Sequence, residues 1–572
     1  MLNEAAIPKL NHINLRAFSG LTTRFFLPAV ILRHFSIGNQ MRKIHSAAVA
    51  GYHQMLFPVS AMFAGIFVRS AILFKELFSS TRGEYKFMKY EKVKNYYGGE
   101  FVESLSTESS DVISPLDGNL LSQVPMSNAD ELDAAVESAK NAFKFWSKTP
   151  VKERVQVFFR YRHLLERNLD ELAALVSEEN GKTLDEARAE VEKSIELTEF
   201  ACSMPQLIAG EILEVSSGVE CRTEHFPIGV VASIAPFNFP LMVPNWTMPN
   251  ALVLGNTMVM KPSELVPLSV VKMAELLKEA GLPDGVFNVV NGGREIVEAI
   301  CAHASIEAVS FVGSTKVAKL VYQQSTHNLK RCVALGGAKN HLFVLPDANP
   351  SMTAANVTAS MSGCAGQRCM AASAMIAVGD VEAIIERICV EARKVIPGVN
   401  LGAVISKAAR TRIENYISEA EKAGAKILVD GRNAKVEGKE NGNYIGATVI
   451  DFVTPEMSVA REEIFGPVIS IMRTENLDEA LKIENANPYG NAASVFTQSG
   501  GAARYVMEHA SAGMIGVNIG VPVPREPFSF GGWNDSRFGA SDITGKSSIE
   551  FWTKLKKTTT KWNAEAGVNW MS

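Results

Sequence analysis

The chain has 572 residues, enough for two or three domains. At 47% hydrophobic and 21% charged residues it can bury large cores, and 57 basic against 61 acidic side chains, a net of −4, give no general pull toward nucleic acid or an anionic membrane. Seven cysteines, an odd number with no C-x-x-C pair, exclude a disulfide framework, zinc ribbons and thioredoxin chemistry, and point to reduced thiols in a cytosolic or matrix-like compartment.

The charge is unevenly spread. Between Ala5 and Lys75 there are eight Lys or Arg and no Asp or Glu, so the chain from Glu76 onward carries 49 basic against 60 acidic residues, a net of −11. A basic, acid-free and moderately apolar opening segment describes a mitochondrial transit peptide, which would place the mature protein in the matrix. The competing reading is upstream sequence from an overextended gene model, with Met41, Met62 or Met88 as the true start and a cytoplasmic protein as the product. A membrane anchor fits less well: the apolar run Leu56–Val68 has thirteen residues and stops at Arg69, whereas a spanning helix needs about twenty. The rest of the chain offers no spanning candidate.

From Tyr96 the pattern is that of an α/β enzyme. Ser127-Asn128 caps a helix in which Leu132, Ala135, Val136, Ala139 and Phe143 recur at helical spacing. Thr149-Pro150 opens a second helix and Leu184–Ala201 reads as a third. Then strands and helices alternate. Ile228–Ile234 is a buried strand, Leu241–Leu254 an apolar run stopped by Gly255, Thr257–Met260 a strand, and Pro267–Ala280 a helix closed by Gly281. Val286–Val290, Glu295–Cys301, Ala308–Val312 and Ser314–Gln324 continue the alternation. This spacing predicts a parallel, doubly wound sheet. Lys339 to about Phe538 repeats the texture and forms a second such domain. The tail Ser548–Lys561 reads as an edge strand able to pair with another subunit.

Four segments carry candidate chemistry. Gly363–Cys369 places Cys369 among small residues, after Arg368 and ahead of an apolar segment; a neighbouring cation and helix-terminal amides would stabilise its thiolate. Ala235-Pro236-Phe237-Asn238-Phe239-Pro240 follows the strand Ile228–Ile234, at the strand end where open α/β sheets bind ligands. Lys261-Pro262-Ser263-Glu264 follows the next strand, and Phe311-Val312-Gly313-Ser314 follows a third and opens a helix. Arg461–Pro467, with Glu463 inside it, lies in the second half. No G-x-G-x-x-G follows a strand, so the usual dinucleotide fingerprint is missing. His225 and His341 lack partners at ligand spacing and read as structural, so no metal site is expected. Cys364 is either a buried small residue or a partner for a reversible disulfide with Cys369.

Together these residues resemble the aldehyde dehydrogenase superfamily, over about Tyr96 to Lys561. Cys369, Asn238 and Glu463 with its Phe-Gly-Pro are the most specific marks. Within it the likeness is greatest to the acyl-CoA-forming, methylmalonate-semialdehyde branch, through Ala338–His341, Pro346–Asn349, Gly366–Ala371, Glu440–Asn443 and Val521–Phe530. The resemblance implies two doubly wound parallel-sheet domains plus an oligomerisation strand: a leader over 1–90, an NAD-binding domain over 91–337, a catalytic domain over 338–537 and a C-terminal segment over 538–572. It implies homotetramers built as dimers of dimers, with no membrane or nucleic-acid partner.

It also implies roles. Cys369 attacks the aldehyde, and the Asn238 amide with the Cys369 N–H receives the oxyanion; one such donor is typically worth about 3–4 kcal/mol of barrier. Lys261 and Glu264 hold the adenosine ribose, with Glu264 favouring NAD by repelling a 2′-phosphate. Gly313 and Ser314 leave amides for the pyrophosphate, Glu463 anchors the nicotinamide ribose, and Ala235 and Phe237 line the cofactor site. Hydrolytic members place a water-activating Glu 34 residues before the nucleophile; here that position is Leu335, which cannot act as a base. The thioester should then await coenzyme A. In the resembled branch the substrate also loses its carboxylate as carbon dioxide, in valine and pyrimidine catabolism. Leu265 replaces the branch's usual Arg, and Lys193 stands where the branch favours an Arg for the substrate carboxylate. Arg525, in the Val521–Pro524 region, either replaces a lost contact or is a surface residue. Two rivals stand beside this reading: a hydrolytic aldehyde dehydrogenase using Glu463 on water with another short semialdehyde, and a non-catalytic binding or structural protein on the same scaffold.

Overall fold

Two parallel sheets result from the alternation of apolar runs and capped helices. The computed structural model describes residues 88–561; the leader expected over 1–90 falls almost wholly outside them. The first sheet has eight strands in the order Glu100–Val102, Asn95–Tyr97, Phe287–Val289, Thr257–Lys261, Val230–Ile234, Ile306–Val312, Arg331–Leu335 and Arg537–Phe538. From Phe287–Val289 to Arg331–Leu335 all neighbours are parallel. Val230–Ile234 and Thr257–Lys261 are buried throughout, as strands covered by helices on both faces must be. The second sheet orders Lys426–Val429, Thr448–Asp451, Val468–Thr474, Ala372–Val378, Asn340–Val344, Ala492–Phe496 and Met514–Val517, parallel except at its first strand.

The helix starts follow their caps. Asn128 accepts the Glu131 N–H and Glu131 reaches back to Asn128, opening the helix Ala129–Trp146. Thr183 and Glu186 do the same for Leu184–Cys202. A helix not anticipated, Leu169–Asn180, stands between its neighbours; Leu172, Ala173 and Val176 face the core and Gly181, in the left-handed region at φ 94°, ends it. The apolar run after Pro240 is the helix Met242–Val253, buried on every side from Val243 onward, which is why it carries no polar face.

The tail differs from expectation. Ser548–Trp552 is a short helix, and only Thr553–Lys561 is a strand. Within the chain it runs antiparallel to Val219–Pro227 from Thr553↔Pro227 to Lys561↔Val219, and it is the edge strand of that three-stranded sheet. Val219–Pro227 in turn pairs with Glu211–Ser216, a hairpin that alternation-based reading passed over because these short strands lie on the surface. Trp552 is fully buried, and its carbonyl accepts the Asn256 amide, whose oxygen receives the N–H groups of Ile228 and Gly229. Among the described residues no helix is long and apolar enough to cross a membrane.

Because Trp552 anchors the start of the C-terminal strand in the core beside Asn256, Trp552→Ala should destabilise the chain by roughly 3–5 kcal/mol, read as a lower denaturant midpoint in urea unfolding. An unchanged midpoint would show that the tail is not part of the cooperative unit.

Candidate active site

The carboxyl ends of the first sheet's strands and the loops of the second open on one cavity of about 910 Å³. Val230–Ile234 delivers Ala235, Phe237 and Asn238; Thr257–Lys261 delivers Lys261 and Glu264; Ile306–Val312 delivers Gly313 and Ser314. The second half adds Cys369, Glu463 and Phe465, whose ring meets Phe237 edge-on at 5.8 Å between centroids. Lys193 and Arg525 do not line this cavity. The Lys193 ammonium pairs with Glu526 at 2.7 Å and Glu196 at 3.1 Å, while exposed Arg525 stands 3.7 Å from Glu196. Carboxylates of the chain itself thus answer both cations expected for the substrate.

Cys369 sits in a tight passage between the helix Pro350–Ser362 and the strand Ala372–Val378. No helix begins at it, so the expected helix-terminal amides are missing; the apolar segment that follows is a central strand. The turn Gly363–Gly366 reaches positive φ at Cys364, Ala365 and Gly366. At Gly366 a Cβ would lie 2.1 Å from the Gly466 carbonyl, so only glycine lets the Glu463–Pro467 loop close against the nucleophile loop. Two amides then grip the Cys369 carbonyl: Asn340 at 2.8 Å and Asn491 at 2.9 Å. Asn340 belongs to the Ala-Lys-Asn-His motif, but neither role was legible, since neither residue is near Cys369 in sequence. The Asn238 amide donates to the Gln367 carbonyl at 3.1 Å, and Gln367 accepts the Ile405 N–H, which ties the two halves together beside the sulfur.

The electrostatics oppose the expected low-pKa thiol. Burial, and then the Glu463 carboxylate, push the Cys369 thiol up to about 12, against the Arg368 guanidinium and the residue's own N–H. Glu463 is itself raised to about 7 by burial, opposed by its hydrogen bond from the Ala338 N–H at 3.0 Å and by Lys339. Burial also lowers Lys339 to about 7, opposed by the Glu463 and Glu462 carboxylates, and its ammonium bonds the Ser373 hydroxyl at 2.8 Å. Leu335 is buried in the apolar cluster against which Cys369 packs.

Arg368 lies back over Gly363, 3.5 Å from the Cys364 sulfur. Its Nε has no hydrogen-bond partner and it makes no ion pair among the described residues. The neighbouring carboxylate, Glu186, is already engaged by the N–H groups of Thr183 and Cys364. Arg368 does not line the cavity; its charge faces Cys364, Glu186 and the Cys369 sulfur from behind the nucleophile loop. Cys364 is buried beneath the guanidinium.

The remaining groups fit a dinucleotide. Buried Lys261 reaches Glu264 at 2.9 Å, and although burial opposes it, that cation holds the Glu264 carboxyl below its ordinary value. Ser314 starts the helix Thr315–His327 without a side-chain cap, which leaves the first-turn N–H groups for a phosphate. Burial lowers the His341 imidazole to about 3, and His225 bonds the Thr553 hydroxyl. Among the described residues no cluster of three His, Cys, Asp or Glu is placed to hold a metal.

The raised thiol can be measured. At pH 8, where Glu463 is mostly ionised, iodoacetamide should alkylate Cys369 of the ligand-free chain slowly. Glu463→Gln removes a charge that disfavours thiolate, so the rate should rise, about tenfold for each unit by which the thiol falls; Arg368→Gln should slow it. Equal rates by mass spectrometry would show that neither charge reaches the sulfur.

Comparison with known proteins agrees with this geometry. The Aldehyde dehydrogenase family pattern matches residues 101–558. Malonate-semialdehyde dehydrogenase 1 of Geobacillus thermodenitrificans is 44% identical over 481 residues, covering 82% of this chain and 99% of that protein. A putative methylmalonate-semialdehyde dehydrogenase from Sinorhizobium meliloti 1021, solved with NAD, superposes with a TM-score of 0.82 at 39% identity, over 83% of this chain and 99% of that one. Methylmalonate-semialdehyde dehydrogenase from Oceanimonas doudoroffii gives a TM-score of 0.81 at 41% identity, again over 83% and 99%. The family pattern over most of the chain, relatives at 44% and 41% identity covered almost end to end, and the two parallel sheets superposing on these structures establish that the protein belongs to the aldehyde dehydrogenase family.

Proposed function

We propose that this oxidoreductase acts on methylmalonate semialdehyde and malonate semialdehyde with NAD and coenzyme A, giving propionyl-CoA or acetyl-CoA and carbon dioxide. The observation that carries the reading is the buried Leu335, with no carboxylate on its strand to activate water. The chemistry follows from the chain's own groups. The Cys369 sulfur, once deprotonated, adds to the aldehyde carbon, and the oxygen that becomes negative is received by the Asn238 amide and the Cys369 N–H. NAD, when bound along Lys261, Glu264, Gly313, Ser314 and Glu463, supplies the hydride acceptor. Cys369 is left holding an acyl group as a thioester. The carbonyl β to the carboxylate takes up the electron pair released as carbon dioxide departs, and the same two donors stabilise the resulting enolate before a proton restores the acyl group. The coenzyme A thiolate then attacks the thioester, and Cys369 leaves.

Glu463 favours the hydrolytic alternative in one respect: a carboxyl near 7 is in range for a base acting on water. Its firm bond to the Ala338 N–H and its place in the cofactor cleft weigh against that use. A homotetramer, and the matrix as the site of action, are parts of the same proposal that rest on the family resemblance and the acid-free leader.

Without coenzyme A, malonate semialdehyde should yield a burst of about one NADH per active site and little steady turnover, because the thioester has no activated water. Coenzyme A should restore turnover with acetyl-CoA and carbon dioxide as products by mass spectrometry, and Cys369→Ala should abolish the burst. Full-rate turnover without coenzyme A would establish the hydrolytic reading instead.

A further inference from the structure

Behind the Asn238 loop lies an ion pair that the chemistry above does not use. Lys182 and Glu190 have fully buried side chains and meet at 2.5 Å. Lys182 also donates to the Asn238 carbonyl at 2.9 Å, and its ammonium lies 4.1 Å from the centre of the Phe239 ring, so its charge is answered on all sides. The other Glu190 oxygen accepts the N–H groups of Leu241 and Met242, at 2.9 and 3.0 Å, where the helix Met242–Val253 begins. Asn180 completes the grip by donating to the Phe237 carbonyl at 2.8 Å. Side chains from one short stretch, Asn180 to Glu190, therefore fasten the backbone from Phe237 to Met242.

A buried pair of this kind is a poor stabiliser in itself, since desolvation offsets most of the attraction and an apolar pair of similar volume commonly serves as well. What it supplies is direction. The Asn238 side chain has one useful orientation, toward the oxygen on the carbon that Cys369 attacks, and its peptide is the group that Lys182 holds. We propose that Lys182 and Glu190 are positioning residues for the reaction, acting through Asn238 and touching no substrate. The inference rests on the reading of Asn238 as the oxyanion donor.

The test compares Lys182→Met, Glu190→Gln, Asn238→Ala and the double variant Lys182→Met/Asn238→Ala by the rate of the NADH burst, with iodoacetamide alkylation of Cys369 and thermal melting alongside. Asn238→Ala should slow the burst by roughly 10²–10³-fold. Lys182→Met should slow it by roughly 10- to 100-fold, as small misplacements of a catalytic group do. In the Asn238→Ala background Lys182→Met should change the burst by less than about twofold, because the group it positions is already gone. Alkylation, which builds no oxyanion, should stay within about twofold of the parent in all variants. Multiplying effects in the double variant, or an undisturbed burst in Lys182→Met, would overturn the inference. If Lys182→Met melts below the assay temperature, the isosteric Glu190→Gln, alone and with Asn238→Ala, is judged by the same criteria. An undisturbed burst in Asn238→Ala would instead overturn the oxyanion reading beneath it.

Discussion

Everything at the site depends on how the Cys369 backbone is held. A sulfur on a free loop would sample many positions, and a reaction that needs carbon, sulfur and an amide donor in one place loses rate steeply with each. Here the Cys369 carbonyl is fixed by Asn340 from one strand and Asn491 from the approach to another, and the loop before it takes the Asn238 amide on the Gln367 carbonyl. The last contact crosses from the first sheet to the second. The Asn238 amide is thus tied to the loop that carries Cys369.

That rigidity has an electrostatic consequence. Burial in the passage favours the neutral thiol, and so does the Glu463 carboxylate on the loop that closes against it. A ligand that partners Glu463 would relieve one of the two. Arg368 works in the opposite sense, its guanidinium favouring the thiolate. Leu335 stands where a water-activating carboxylate would lie, and its strand carries no acid, which is the ground of the proposed transfer to coenzyme A.

Much of the architecture was legible because it follows from local rules. Asn128 and Thr183 cap helices with a Glu three residues on, and both helices begin there. The buried strands from Val230 to Val312 alternate with helices at spacings that only a parallel sheet accommodates. The candidate site residues after those strands share the cavity for the same reason: parallel strands bring their carboxyl ends to one side. The surface hairpin Glu211–Pro227 and the helix Leu169–Asn180 were not legible, the first because exposed strands carry no apolar alternation, the second because its signal merges with the helices around it. Lys193 shows the limit of reading by correspondence: its helix and position matched, but Glu526, far away in sequence, occupies it.

The residue types and their order by themselves determined the two doubly wound sheets, the placement of Asn238, Lys261 and Glu264 just after strands, and the absence of an acid 34 residues before Cys369. Those are properties of neighbours in sequence, and short-range sterics and burial decide them. The ionisation of Cys369, the grip of Lys182 and Glu190 on the Asn238 loop and the in-chain partner of the last strand were decided only by the tertiary structure. Charge and hydrogen bonding act through space, over a few ångströms, between groups that the chain separates by tens to hundreds of residues, and no local pattern records which of them will meet.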